Sequence, residues 1–264
     1  MLEAVWIGFA FSLGLLVRAI GLPPLVGYLL AGFVISATAS DLSLPPEGPS
    51  IIHHVAHLGV LLLLFTVGLK LNVRSLGKPE VLGGSMLHFA LSIILTLPAV
   101  LFIFDVSWYQ ALMLAVALAF SSTVLAAKVL EGKREIRAFH GRVAIGILIM
   151  QDLLALLVMS LANGTTPSPW ALLVFALPLL RPVLYKLLDA SGHEDLLILF
   201  GLLLALVIGG QGFELVGLSS ELGALVFGAM LAKHARAGEL SKSLWSIKEF
   251  FLVGFFLQIG IDGL

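Results

Sequence analysis

The chain has 264 residues, of which 59% are hydrophobic and 12% are charged, and its formal net charge is −1. Soluble domains carry about 25% charged residues, so this composition excludes a soluble protein and indicates a polytopic membrane protein. The small net charge argues against a nucleic-acid-binding surface, and the absence of cysteine excludes disulfides, thiolate metal sites and cysteine nucleophiles.

Ten apolar stretches are long enough, or nearly long enough, to cross a bilayer, which takes about 20 mainly apolar residues per helix. The N-terminus carries Glu3 and no basic segment, so we interpret the first stretch as a span and not as a cleaved signal peptide. Turn-rich loops are predicted at Pro45–Pro49 and Asn163–Pro169. The predicted spans are residues 4–20, 24–40, 51–70, 81–104, 110–130, 142–162, 169–188, 195–213, 218–233 and 247–262.

The basic residues predict the orientation. With ten spans, all fifteen Lys and Arg residues fall on one side, and the opposite loops hold Asp41, Glu47, Asp105 and Glu214 without any Lys or Arg. Because cytoplasmic loops are enriched in Lys and Arg, we expect the N-terminus outside and the basic loops in the cytoplasm. The basic residues are Arg18, Lys70, Arg74, Lys78, Lys128, Lys133, Arg134, Arg137, Arg142, Arg181, Lys186, Lys233, Arg236, Lys242 and Lys248.

Two parts of the chain resemble each other. GLPPLVGYLLAG at residues 21–32 and GLSSELGALVFG at residues 217–228 have glycine at the same positions, and FTVGL at 65–69 echoes LQIGI at 257–261. Spans one to three then correspond to spans eight to ten, which cross the membrane in the opposite sense. Such inverted repeats are typical of secondary transporters, although the same glycines could simply let helices pack closely.

The repeat predicts three parts. Residues 1–162 form the first copy, with spans one to six. Residues 163–193 form a connecting seventh span, and residues 194–264 form spans eight to ten of the second copy. Partners for spans four to six would follow Leu264, so we expect this chain to be a shortened or partial version of the protein.

Two predicted spans have polar residues at mid-depth. Ser121, Ser122 and Thr123 interrupt span five, and Gln151 and Asp152 interrupt span six. A carboxylate inside the membrane is costly and marks a functional site by default, so Asp152 is the candidate site for both a proton and a monovalent cation. An Asp152 satisfied by hydrogen bonds between helices is the alternative.

The hydroxyls of Ser121, Ser122 and Thr123 indicate a break in span five, where freed carbonyls and hydroxyls are suitable ligands for an alkali cation. We expect Thr123 to join Asp152 in holding the cation. The alternative is an unbroken helix with ordinary hydroxyl-to-backbone bonds. Gln151 either contacts the cation or orients the site.

Other polar residues are weaker candidates. His88 is expected to be a packing residue, and the histidines at positions 53, 54 and 57 to lie at a solvated helix end. Glu221 is either a residue at the outer mouth of the ion pathway or part of a helix start capped by Ser219 or Ser220. Lys128 is expected to extend its side chain to the membrane surface.

The sequence resembles the monovalent cation:proton antiporter-2 family, most closely its Kef-type potassium branch. The resemblance covers nearly the whole chain. It rests on LVGYLLAGFVI at 25–35, HLGVLLLLFTVGLKL at 57–71, LAFSSTVLAAKVLE at 118–131, GRVAIGILIMQDLLALLV at 141–158, LSSELGALVFGAMLA at 218–232 and FFLVGFFLQIGID at 250–262.

The resemblance implies an all-α polytopic membrane protein with an inverted-repeat antiporter fold, discontinuous helices and thirteen spans, of which about ten are present. It implies a homodimer in a bacterial inner (plasma) membrane, and a cytoplasmic regulatory domain or subunit that this chain does not contain. The pair Gln151-Asp152 is similar to that of the potassium branch.

We therefore expect a secondary antiporter that exchanges K⁺, or Na⁺, for H⁺ by alternating access at Asp152. The alternative is a passive cation channel or a shortened membrane scaffold that does not transport. The sequence carries no metal-ligand cluster, nucleophile triad or phosphate-binding loop, so we expect neither an enzyme nor a cofactor, and no partner besides the lipid bilayer and those that the resemblance implies.

Overall fold

The computed structural model describes residues 2–38, 48–71, 77–163 and 169–263. Within these ranges the chain is helical and contains no β-strand, so the predicted all-α membrane fold is confirmed. The α-helices are α1 (Leu2–Ala19), α2 (Pro24–Thr38), α3 (Gly48–Gly68), α4 (Pro79–Ile103), α5 (Trp108–Leu118), α6 (Thr123–Gly132), α7 (Phe139–Asn163), α8 (Arg181–Ala190), α9 (Asp195–Leu202), α10 (Gly212–Leu215), α11 (Ser220–Leu231), α12 (Ala237–Ser243) and α13 (Trp245–Asp262).

Each predicted span coincides with a helical segment, although the bounds and regularity differ. A 3₁₀ helix, Pro169–Leu180, leads into α8, and a π-helix, Leu203–Gln211, joins α9 to α10. Helix α3 begins at Gly48, inside the predicted loop Pro45–Pro49, because proline fits the first turn of a helix without loss of a hydrogen bond. The rest of that loop, and residues 164–168 of the second predicted loop, lie outside the described residues.

The surface and the helix lengths are those of a membrane protein. Three described stretches are long and apolar enough to cross a bilayer, namely Ile51–Gly68, Pro79–Ile103 and Asp195–Leu215. Large apolar side chains such as Phe102 (93% exposed) and Leu95 (70% exposed) point away from the protein interior. Such a continuous apolar surface is stable in lipid but not in water. The number of spans stays a prediction.

The helices form two groups. The first contains α1, α2, α3, α11, α13 and the stretch Asp195–Leu215, and the second contains α4 to α7. The two groups meet where α3 packs against α6. An apolar cluster fills this junction, made of Val60, Leu63, Leu64, Val67, Ala127, Ile145, Leu148, Ile149, Leu225 and Leu252.

Glycine pairs allow helices of the first group to cross in direct backbone contact. A Cβ atom added to Gly32 of α2 would lie 2.2 Å from the carbonyl oxygen of Leu257 and 2.7 Å from the Cα of Gly260, both in α13. Similarly, a Cβ atom on Gly68 of α3 would lie 3.0 Å from the Cα of Gly228 in α11. Both crossings place α2 and α3 against helices of the second half of the chain.

Candidate functional site at the break between α5 and α6

The predicted break in span five is present. Helix α5 ends at Leu118 and α6 begins at Thr123, and the residues between them leave the helical path. Ser122 is the N-cap of α6, because its hydroxyl accepts a hydrogen bond from the amide of Leu125 at 3.2 Å. A serine at this position satisfies an amide that has no partner at a helix start, which explains why the helix restarts here.

Gln151 of α7 satisfies backbone groups that the break leaves free. Its Oε1 accepts a hydrogen bond from the amide of Ser121 at 3.2 Å, and its Nε2 donates to the carbonyl of Ala119 at 3.3 Å. Nε2 also lies 2.9 Å from Nδ1 of His88 in α4. Unpaired backbone is tolerated at membrane depth only where protein or water covers it. The buried amide therefore stabilises the break and connects it to α4 and α7.

Asp152 contacts the start of α6. The hydroxyl of Thr123 donates to Oδ2 of Asp152 at 3.0 Å, and Thr123 itself is 7% exposed. Thr123 is the first residue of α6, so the carboxylate lies beside a helix N-terminus, whose partial positive charge favours an anion. The structure thus brings together Thr123 and Asp152, which are 29 residues apart in the chain.

A cavity of about 310 Å³ lies between the two helix groups at this point. Four of the five predicted site residues line this cavity. The fifth, Gln151, does not line it and is 1% exposed. The cavity extends from the helix break to the start of α11. Its lining includes Ser121, Ser122, Thr123, Asp152, Ser219 and Glu221.

Glu221 places a second carboxylate in this cavity. Its Oε1 lies 3.9 Å from Nε2 of His57, and the same ring nitrogen lies 3.0 Å from the hydroxyl of Ser220. Ser219 caps α11 by accepting a hydrogen bond from the amide of Leu222 at 3.2 Å, as one alternative predicted. Since Glu221 both lies in the first turn of α11 and lines the cavity, the two predicted roles are compatible.

Sequence reasoning missed a group of ion pairs at the other end of the junction. We name it the Glu131 cluster, and it consists of Lys70, Lys128, Glu131, Lys248 and Glu249. Lys128, which we expected to extend its side chain to the membrane surface, forms an ion pair with Glu249 of α13. One sequence signal for the cluster was available, because Lys128 and Glu131 are three residues apart and therefore place opposite charges on the same helix face.

Residues 7–263 match the sequence model of the family described as sodium/hydrogen exchanger, transmembrane. The match covers all the helices that form the cavity. Members of this family are transporters and not enzymes, and they exchange a cation for a proton across a membrane. The chain therefore belongs to the sodium/hydrogen exchanger family and is an integral membrane protein of the cation/proton antiporter class.

Proposed function

We propose that the protein is a Kef-type antiporter that exchanges K⁺, and less readily Na⁺, for H⁺, and that Asp152 binds the two substrates in turn. The observation that carries this proposal is the contact between Asp152 and Thr123 at the helix break, inside a cavity. Asp152 lies near the middle of α7 (Phe139–Asn163), which supports a site near the bilayer midplane.

The residues around Asp152 suit a dehydrated monovalent cation. The hydroxyls of Ser121 and Thr123 are neutral oxygen ligands that replace water molecules around the ion. The Thr123 hydroxyl can donate its proton to Asp152 and direct its lone pairs at the cation. Gln151 uses its amide atoms on Ser121, Ala119 and His88, so we propose it as a positioning residue and not as a ligand.

Exchange follows from a single carboxylate that binds one substrate at a time. The ionised carboxylate of Asp152 attracts the cation, and the protonated carboxyl group releases the cation. Glu221, which is 43% exposed at its side chain and accepts a hydrogen bond from the Ser220 hydroxyl, attracts cations to the cavity. One cation then exchanges for one proton, and transport is insensitive to the membrane potential.

Alternating access requires two bodies that move relative to each other, and we propose that the two helix groups are these bodies. The repeat relates helices within the first group. The crossing of Gly32 with Gly260 and that of Gly228 with Gly68 involve matched positions of the two repeats, and this supports the predicted inverted relationship. Gly21 and Gly217, which are also matched, have φ values of 82° and 77°. We propose that the first helix group also forms a homodimer, and that a cytoplasmic regulatory domain or subunit acts on the second.

The test is flux in proteoliposomes that contain the purified protein. Asp152→Asn should abolish K⁺- and Na⁺-dependent proton flux, whereas Asp105→Asn, in an exposed loop between α4 and α5, should leave it unchanged. Undiminished flux in Asp152→Asn, or transport driven strongly by voltage, contradicts the proposal. A cation current that does not depend on pH would favour a passive channel.

The orientation has its own test. The chain contains no cysteine, so a single introduced cysteine reports its own accessibility. With the N-terminus outside in a bacterial inner membrane, cysteine in place of Glu214 should react with an impermeant maleimide added to whole cells, and cysteine in place of Arg137 should not. The opposite pattern would reverse the assignment of sides.

A further inference from the structure

The Glu131 cluster connects the two helix groups at one end of their junction. Lys70, just after α3, places its Nζ 2.7 Å from Oε1 of Glu131, and Lys248 of α13 places its Nζ 2.5 Å from Oε2. Glu131 belongs to α6, in the second group, and both lysines belong to the first. Each carboxylate oxygen therefore holds one lysine across the junction.

A second pair reinforces the first. Lys128 of α6 pairs with Glu249 of α13, and Lys248 also lies 3.3 Å from Glu249. The Lys248 side chain is only 1% exposed and that of Glu131 is 17% exposed. Ions removed from water to this extent are stable only while they stay paired, so separation of α6 from α13 without hydration of these charges is strongly disfavoured.

The position of the cluster gives it a consequence for access to the cavity. The cavity extends from the break toward the start of α11, and the cluster lies at the end of α3, the end of α6 and the start of α13. Between the cavity and the cluster lies apolar packing that includes Val67, Ala127 and Leu252. These apolar and ionic contacts thus separate the cavity at Asp152 from the cluster end, where another cavity of about 550 Å³ is lined by Lys128, Glu249 and Leu252.

We propose that the Glu131 cluster is the cytoplasmic gate of the transport cycle, and that its ion pairs hold the protein in the state in which the site faces the opposite side. This rests on the proposed function, because only alternating access requires the closed end to open. Opening there must part α6 from α3 and α13, which separates Glu131 from Lys70 and Lys248. Water that enters the opened crevice then hydrates the separated charges.

The test uses labelling of single cysteines and needs no transport. Ala127→Cys places the probe at a position that is 0% exposed in this state, between the cavity and the cluster. In the parent it should be protected from an impermeant maleimide on the cytoplasmic side of inverted vesicles. With Glu131→Gln and Lys248→Met together, its labelling rate should rise at least ~tenfold, which corresponds to a shift of ~1.4 kcal/mol between the two states.

The paired substitution is chosen because it does not leave Lys248, which is 1% exposed, without its partner. Lys70 loses Glu131, but its side chain is 24% exposed and can be hydrated, so the variant should fold. Lys70→Gln is a milder variant that keeps the Lys248 pair, and it should give a smaller increase in the same direction. The matched control is Glu135→Gln, since Glu135 pairs with His140 inside the second group and not across the junction. Its labelling rate should equal that of the parent.

If the cysteine of Ala127→Cys is labelled in both cluster variants at the same rate as in the parent, the proposed gate is overturned. An equal increase in Glu135→Gln would also overturn it, because the effect would then be one of general loosening. Failure of the proposed function looks different. In that case Asp152→Asn leaves flux unchanged in liposomes, while the cluster variants still change the labelling rate.

Discussion

The hydroxyl of Thr123 offers the sharpest test of the site. Thr123→Val removes the donor that lies 3.0 Å from Asp152 and keeps the shape of the side chain. A hydrogen bond to a charged group contributes ~1.5–3 kcal/mol, and 1.4 kcal/mol corresponds to a factor of about ten in affinity. We therefore expect the KM for K⁺ to rise about ten- to a hundredfold, with a smaller change in the maximal rate.

The assay is K⁺-dependent proton flux in proteoliposomes over a range of K⁺ concentrations, with Thr123→Ser as the matched control. Serine keeps the hydroxyl and loses only a methyl group, so its KM should stay within a factor of about three of the parent value. Thermal unfolding in detergent separates an effect on binding from one on folding. A valine variant that folds and keeps the parent KM would refute the role of this hydroxyl.

Two further predictions concern stability and are tested by thermal unfolding. Gly260→Ala should destabilise the protein by ~1–3 kcal/mol, since the added Cβ would lie 2.2 Å from a carbonyl oxygen of α2, whereas Gly83→Ala has open space and should not. Hydrogen bonds from Arg236 and His193 lower the pKa of Glu239 from 4.5 to about 2. The stability that this pairing contributes is present above pH 4.5 and is lost as the pH falls toward 2. In the Glu239→Gln variant this part of the decrease in stability with falling pH should be absent.

The sequence predicts the positions of the helices well because the physical cause is local. Every predicted span depends on a run of apolar residues, and the structure places a helical segment at each. The irregular segments are not predictable in this way. The π-helix Leu203–Gln211 is as apolar as an ordinary span. It packs against α11 so closely that a Cβ atom on Gly209 would lie 3.0 Å from the Cα of Ala224, and this contact involves residues distant in the sequence.

The break between α5 and α6 was predictable because serine at a helix start leaves a local signal. The sequence left two roles open for Gln151 and did not predict its hydrogen bonds, since Ser121, from whose amide it accepts, lies 30 residues away in the chain. The ion pairs of the Glu131 cluster are similarly distant, with Lys248 117 residues from Glu131. The number of Lys and Arg residues in each loop predicts the topology, but it does not reveal which of these residues form buried ion pairs.

A single face of α6 joins these features. Thr123, Ala127 and Glu131 are spaced by four residues, so they lie on one stripe of the helix, which runs along the junction between the two helix groups. Thr123 contacts Asp152, Ala127 packs in the apolar junction, and Glu131 pairs with Lys70 and Lys248. Thr123 and Glu131 are about 12 Å apart along a helix with a rise of 1.5 Å per residue. A rigid movement of α6 that separates Glu131 from its lysines must therefore also shift Thr123 relative to the first group, which is the coupling that alternating access requires.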